Sequence, residues 1–205
     1  GKADIFHVEK ALEITREENL RMISETIALI VQEGREAMFD AEHFFDGYKR
    51  DAKYALQVLQ TAYDSGARWI ILCDTNGGTL PHEITDIISN IDIPAENLGI
   101  HCHNDTGNAV ANSLAAVSAG VRQIQGTING LGERCGNANL ISIIPTLMLK
   151  MGFETGVTHK KLKEITALSH FLDEKINRVS EPQAPYVGKS AFANKGGLHV
   201  SAIAK

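Results

Sequence analysis

Short apolar runs alternate with amphipathic ones along most of the chain, and this alternation predicts a repeated strand–helix unit. Five runs have strand length and composition: residues 5–8, 37–42, 69–73, 98–101 and 123–128. Between the first two, Thr15-Arg-Glu-Glu18 is a capping box. Leu20, Ile23, Ile27, Ile30 and Val31 then recur at helical spacing until Gly34, a C-terminal cap. The next helix is predicted over 51–63, with Ala55, Leu56, Val58, Leu59 and Ala62 turned inward and Gly66 ending it. Shorter helices are predicted over 81–89 and 108–119, the second closed by Gly120, and two more over 140–150 and 159–177. Pro145 opens or kinks the first of that last pair.

Strand–helix alternation of this kind demands a parallel sheet with crossover helices. A doubly wound sheet and a (β/α)8 barrel both satisfy it. No G-x-G-x-x-G turn is present, so a dinucleotide fold has little support. Polar residues gather at the ends of all the later strands rather than at one crevice, which favours a TIM barrel. Residues 180–205 break the pattern: Glu-Pro-Gln-Ala-Pro185 has linker composition, and the glycine-rich stretch after it reads as an extension toward a partner subunit. The expected organisation is a barrel portion over 1–179 and a linker, the start of a C-terminal subdomain, over 180–205.

At 205 residues and 43% hydrophobic, the chain can bury one sizeable core. A net charge of −5 without a basic stretch points away from nucleic acid and from an anionic membrane surface. No apolar run reaches the roughly 20 residues that span a bilayer. The chain begins on Gly1 rather than Met, which suggests an excerpt of a longer protein. Three cysteines without a C-x-x-C spacing suit a reducing cytoplasm. Cys73 and Cys102 read as small buried hydrophobes, and Cys135, in a loop, is the reactive candidate.

The densest chemistry lies in Leu98-Gly-Ile-His-Cys-His-Asn-Asp-Thr-Gly107. Residues i and i+2 of a strand share a face and lie about 6.6 Å apart. His101 and His103 can therefore converge on one cation, with metal–nitrogen bonds of about 2.1 Å. The plainer reading is two polar residues at a strand end satisfied by hydrogen bonds. Asp40 and Glu42 end another strand at the same spacing and either orient a ligand or lie solvated at the rim. Thr75, in Cys73-Asp-Thr-Asn-Gly-Gly-Thr79, either donates its hydroxyl to a carboxylate or caps the next helix. Asn129-Gly-Leu-Gly-Glu-Arg-Cys-Gly-Asn137 holds too many glycines and polar side chains for a packing role alone.

Leu98-x-x-His101-x-His103-Asn-Asp-x-Gly107-x-Ala109-x-Ala111 resembles the second signature of the 2-isopropylmalate, homocitrate and citramalate synthases. These are metal-dependent TIM-barrel acyltransferases grouped with 3-hydroxy-3-methylglutaryl-CoA lyase. Asn129-Gly-x-Gly-Glu-Arg-x-Gly-Asn137 follows at the family's spacing, and the resemblance covers nearly the whole chain. Phe39-Asp-Ala-Glu-His-Phe-Phe-Asp-Gly-Tyr48 and Cys73-Asp-Thr-Asn-Gly-Gly-Thr-Leu-Pro-His82 most resemble the citramalate synthase branch.

The resemblance implies that His101 and His103 are metal ligands and that Asn137 stands in or near the metal's shell. Glu42 and Thr75 match positions that contact the 2-oxo acid, Glu42 also with a catalytic role. His199, in Gly-Gly-Leu-His-Val-Ser-Ala, matches a histidine assigned to the acetyl-CoA chemistry, and Glu133 and Arg134 brace the loop around the metal. His7 is a barrel-mouth residue without a role. The implied cofactor is a divalent cation, with Mn, Zn, Mg and Co not distinguished, and acetyl-CoA is the co-substrate. The expected protein is a cytoplasmic homodimer that condenses acetyl-CoA with pyruvate in isoleucine or leucine biosynthesis.

The family's Leu-Arg-Asp-Gly strand, with its aspartate ligand and its arginine, has no counterpart in this chain, and its downstream tyrosine would lie beyond Lys205. The fold expected is thus the C-terminal five βα units of the barrel. Within enzymes the alternatives are a 2-isopropylmalate or homocitrate synthase, or a lyase running the reverse cleavage. From another class, the alternative is a metal-binding regulatory barrel fragment.

Overall fold

The computed structural model describes residues 1–194 and divides them into two compact units, Gly1–Ala138 and a second beginning at Asn139. In the first unit the elements run α1 (Arg16–Gln32), β1 (Met38–Ala41), α2 (Phe44–Arg50), α3 (Ala52–Asp64), β2 (Trp69–Asp74), α4 (Pro81–Ile88), β3 (Leu98–Cys102), α5 (Ala109–Ser118) and β4 (Gln123–Gln125). The strands form one parallel sheet in the order β1-β2-β3-β4. In the second unit follow α6 (Leu140–Leu149), α7 (His159–Leu162) and α8 (Ile165–Lys175).

The helix signals act as their chemistry dictates. Thr15 caps α1 by accepting the Glu18 amide at 3.1 Å, and Gly34 leaves it at φ +70°. In α3, Tyr54, Ala55, Val58, Leu59 and Ala62 bury one stripe, and Gly66 ends it at φ +101°. α6 runs through Pro145, with Asn139 capping it.

Strand alternation gives the sheet two faces. Phe39, Ala41, Ile70, Leu72, Leu98, Ile100 and Cys102 are buried on one. Parallel register places Asp40 beside Ile71 and Gly99, and Cys73 beside His101 and Gln125, on the other. Gly99 has no alternative there, because a Cβ would lie 2.3 Å from Ile71 Cδ1 and 2.5 Å from Gln123 Oε1.

Residues 5–8 are not a strand. Asp4 accepts the Phe6 amide at 3.1 Å and the Val8 amide on its carbonyl at 3.1 Å, starting a helical turn that continues over His7–Ala11. The extended piece lies earlier in the chain. Lys2 bridges Glu42 in parallel, Ala3 donates to the Glu42 carbonyl at 2.9 Å, and Asn19 of α1 holds the Lys2 carbonyl at 3.0 Å. Four strands are therefore present among the described residues where five were expected. β4 is also shorter than expected, because the chain turns after Gln125 into a 3-10 turn at Ile128–Gly130. The run over 159–177 breaks at Lys163 and Glu164 into α7 and α8.

Beside β1 and the Gly1–Lys2 segment that pairs with its end lies a groove of about 640 Å³ lined by apolar groups including Met22, Ile23, Ile27, Ile30, Met38 and Phe39. Among the described residues no helix is long and apolar enough to cross a membrane.

Candidate functional site

The polar residues of interest collect where the parallel strands end. β3 presents His101 on the face opposite the helix layer, and His103, one residue past the strand, falls on the same side. Their ring centroids are 5.3 Å apart at 23°. His101 Nδ1 is 2.7 Å from Gln125 Oε1, and its Nε2 is 2.9 Å from the Asn137 amide nitrogen. His103 Nδ1 is buried without a hydrogen-bond partner among the described residues. Burial, and then the neighbouring His101, lower the His103 pKa. The ring is therefore neutral at pH 7, the form that ligates metals.

The Asn129–Asn137 turn is built around this pair. His103 and Asn137 form an antiparallel bridge, Asn104 donates to the Gly136 carbonyl at 2.9 Å, and Ala138 donates to Cys102 at 3.0 Å. Asn137 is seated where only glycine fits opposite it: a Cβ on Gly132 would lie 1.7 Å from Asn137 Oδ1. Arg134, in the left-handed region at φ 54°, clamps the loops of three strands. Its guanidinium grips Asp105 through two bonds of 2.7 and 2.8 Å and reaches the Thr75 carbonyl at 2.7 Å. That grip holds the Asp105 carboxyl below the usual carboxylate range.

Thr75 Oγ1 accepts the His43 amide at 2.8 Å, which fixes His43 at φ 61° and leaves the hydroxyl proton to donate elsewhere. Asp74 serves its own loop, accepting the Thr79 hydroxyl at 2.8 Å and amide at 3.3 Å. Glu42 pairs with Lys2 at 2.5 Å. Burial pushes its carboxyl up, but Lys2 outweighs this and the net shift is downward, so Glu42 is ionised at neutral pH.

The structure thus brings His101, His103 and Asn137 into one cluster and ties Thr75 to the Asp105 loop through Arg134. Glu42 lies past the end of β1, on the same face as Asp40. His199 lies outside the described residues. Cys102 is buried on the helix side, Cys73 faces inward beside His101, and Cys135 is exposed. Burial pushes both buried thiols far up, which keeps them protonated and inert.

Sequence reasoning missed Gln125. Gln123-Ile-Gln125 carries two glutamines at strand spacing in a segment that ought to be buried, and that was its available signal. It also missed Asp4, whose buried carboxylate pairs with Arg50 and with His7 Nδ1 at 3.0 Å.

The donor set fits a divalent cation. A metal–nitrogen bond of about 2.1 Å plus about 1.1 Å to the ring centre puts each centroid about 3.2 Å from the ion. Two ligands at tetrahedral angles then have centroids about 5.2 Å apart, and the observed spacing is 5.3 Å. Among the described residues, no group of three or more His, Cys, Asp or Glu side chains is arranged to hold a metal. The local donors are two imidazoles and one carboxamide.

Comparison with known proteins follows the same line. Residues 2–169 match the family described as HMGL-like. The (R)-citramalate synthase of Aquifex aeolicus is 56% identical, the match covering 100% of this chain and 39% of that protein. The (R)-citramalate synthase of Synechocystis is 49% identical, covering 99% and 39%. The 2-isopropylmalate synthase of Methanocaldococcus jannaschii is 37% identical, covering 97% and 37%. Among solved structures, the HMG-CoA lyase of Bacillus subtilis superposes with a TM-score of 0.75 at 20% identity, over 86% of this chain and 62% of that one. The chain spans about two fifths of the length of these curated relatives.

Proposed function

This chain belongs to the HMGL-like family, and we propose that the protein containing it is an acyltransferase that joins the methyl carbon of acetyl-CoA to the ketone carbon of pyruvate, water then cleaving the thioester to release coenzyme A and citramalate. The observation that carries this reading is the His101–His103 pair beside Asn137 in a chain 56% identical to an (R)-citramalate synthase. The lower 37% identity to a 2-isopropylmalate synthase supports pyruvate over a branched 2-oxo acid.

His101, His103 and Asn137 would hold a divalent cation, which when bound supplies Lewis acidity toward the ketone and carboxylate oxygens of the 2-oxo acid. Thr75, its oxygen already accepting from His43, donates its hydroxyl proton to the substrate carboxylate. Glu42, ionised beside Lys2, orients the reactants and accepts a proton. Arg134 holds the surrounding loops in register through Asp105 and Thr75. The assignment of His199 to the acetyl-CoA chemistry rests on its motif alone.

The parallel sheet, the Lys2–Glu42 bridge and the apolar groove beside β1 support a barrel portion completed by further strands. In this reading residues 1–179 belong to the barrel and 180–205 lead to a later subdomain. The whole protein is proposed as a cytoplasmic homodimer of branched-chain amino-acid biosynthesis.

The test is release of coenzyme A thiol by the full-length protein with Mn²⁺ and one of pyruvate, 2-oxoisovalerate or 2-oxoglutarate. Pyruvate is expected to give the largest kcat/KM. Preference for either other acid moves the protein to the isopropylmalate or homocitrate branch. Cleavage of 3-hydroxy-3-methylglutaryl-CoA without condensation makes it a lyase, and metal binding without turnover makes it a regulatory binder.

A further inference from the structure

We infer that Gln125 and Asp40 form a positioning relay that locks His101 in the Nδ1–H tautomer and aims its Nε2 lone pair at the cation site. The inference deepens the proposed function and rests on the reading of His101 as a ligand.

The relay begins at Asp40, whose Oδ1 accepts from Gln125 Nε2 at 3.0 Å and so selects the NH₂ end of that carboxamide. Gln125 Oε1 is thereby turned to His101 Nδ1, 2.7 Å away, and a carbonyl oxygen there requires the ring to carry its proton on Nδ1. Nε2 must then be the acceptor. The Asn137 amide nitrogen, a donor, stands 2.9 Å from it, so both ends of the ring specify the same tautomer. Register builds the contact, because Gln125 is the direct β4 partner of His101, while Asp40 lies across the sheet on β1.

The residue types matter. Ligating histidines usually donate their other N–H to a carboxylate, a carbonyl or water, which orients the ring and raises its basicity. A glutamine supplies the orientation without a charge, and Asp40 supplies the polarity that keeps the amide from turning. A carboxylate at 125 would instead face Asp40 as a like charge. Asp40, read from the sequence as a rim carboxylate, acts here through Gln125.

The test uses the full-length protein with [¹⁵N]histidine labelling. Imidazole nitrogen shifts, with His101 assigned by its loss in His101→Ala, are read alongside Co²⁺ titration followed by visible absorption. The metal-free wild type is expected to show His101 protonated on Nδ1 alone. Gln125→Leu is expected to mix the tautomers and weaken Co²⁺ binding by about 10- to 100-fold. Gln125→Glu keeps an acceptor at the same place and is expected to retain the Nδ1–H tautomer. Asp40→Ala, which frees the amide to turn, is expected to mix the tautomers partially, and it carries the test if Gln125→Leu does not fold. An unchanged His101 tautomer in Gln125→Leu, or in Asp40→Ala where that variant stands in, overturns the relay. Full Co²⁺ affinity in His101→Ala overturns the ligand reading instead, and the tautomer data then judge the relay by themselves.

Discussion

Two pairs of histidines lie close together in this molecule, and they are built in opposite ways. His7 and His43 stack with centroids 3.7 Å apart and planes within 10°. His101 and His103 stand 5.3 Å apart at 23°. Two rings sharing one ion need centroids at least about 4.5 Å apart even at right angles, so the first pair is too close and the second is not. Their partners differ too. His7 Nδ1 is 3.0 Å from the buried Asp4 carboxylate, which Arg50 also engages, and His43 Nε2 is 3.8 Å from Glu42. Among the described residues, the hydrogen-bond partners of His101 are the carboxamides of Gln125 and Asn137. The first pair, stacked too tightly to share an ion and set beside Asp4 and Glu42, serves the fold. The second pair is held by neutral partners at the spacing that one shared ion requires.

The sharpest way to break this contrast is to remove each pair from the full-length protein. His101→Ala with His103→Ala is expected to abolish stoichiometric divalent-cation binding and to lower turnover at least about 100-fold. His7→Ala with His43→Ala is expected to keep the cation, as isothermal titration would report. Equal metal loss in both double variants erases the distinction.

On the fold side, Asp4 is the group on which the first pair depends. Its side chain is 1% exposed and accepts from Arg50, His7 and the Phe6 amide. Burial pushes this carboxyl up, but those hydrogen bonds outweigh it and hold the pKa below the usual range. Asp4→Asn is therefore expected to cost about 2–3 kcal/mol at pH 7 in denaturant unfolding. Because the folded-state pKa is depressed, that advantage is complete above the unfolded value near 4 and fades as pH falls through the folded one. Wild type and variant should converge once the pH has fallen below the depressed folded-state value. A gap independent of pH would show that the ion pair is not its source.

A third change acts on the site without touching a histidine. Gly132→Ala places a Cβ where Asn137 Oδ1 now sits, 1.7 Å away, and must displace that amide. About tenfold weaker Co²⁺ binding is expected, and unchanged affinity would remove Asn137 from the metal's surroundings. The smallest effect is that of Thr75→Ala. Loss of the acceptor for the His43 amide is expected to cost about 1 kcal/mol of stability, with a severalfold rise in the KM for pyruvate. Thr75→Ser should restore both, and a stability loss with unchanged KM would leave Thr75 a purely structural role.

Much of this molecule is set by order along the chain. The cap at Thr15, the stripe in α3 and the glycines that end α1 and α3 depend only on neighbours within a turn or two, and each is where its spacing places it, except that Tyr54 rather than Leu56 completes the buried stripe. The same-side placement of His101 and His103 follows from strand geometry and needs no partner. Residues 5–8 failed because four residues do not separate a strand from a helical turn, and the Asp4 carboxylate decided between them by accepting the Phe6 amide. What only the tertiary structure decided is who faces whom. Gln125 meets His101 across 24 positions, Arg134 reaches Thr75 across 59, and Gln125 reaches Asp40 across 85. Those contacts are products of parallel register, where a slip of one residue turns every side chain to the opposite face. Hydrophobic period encodes the elements, but register is chosen by the packing of whole strands and helices together, so the partners of His101 appear only once the sheet has formed.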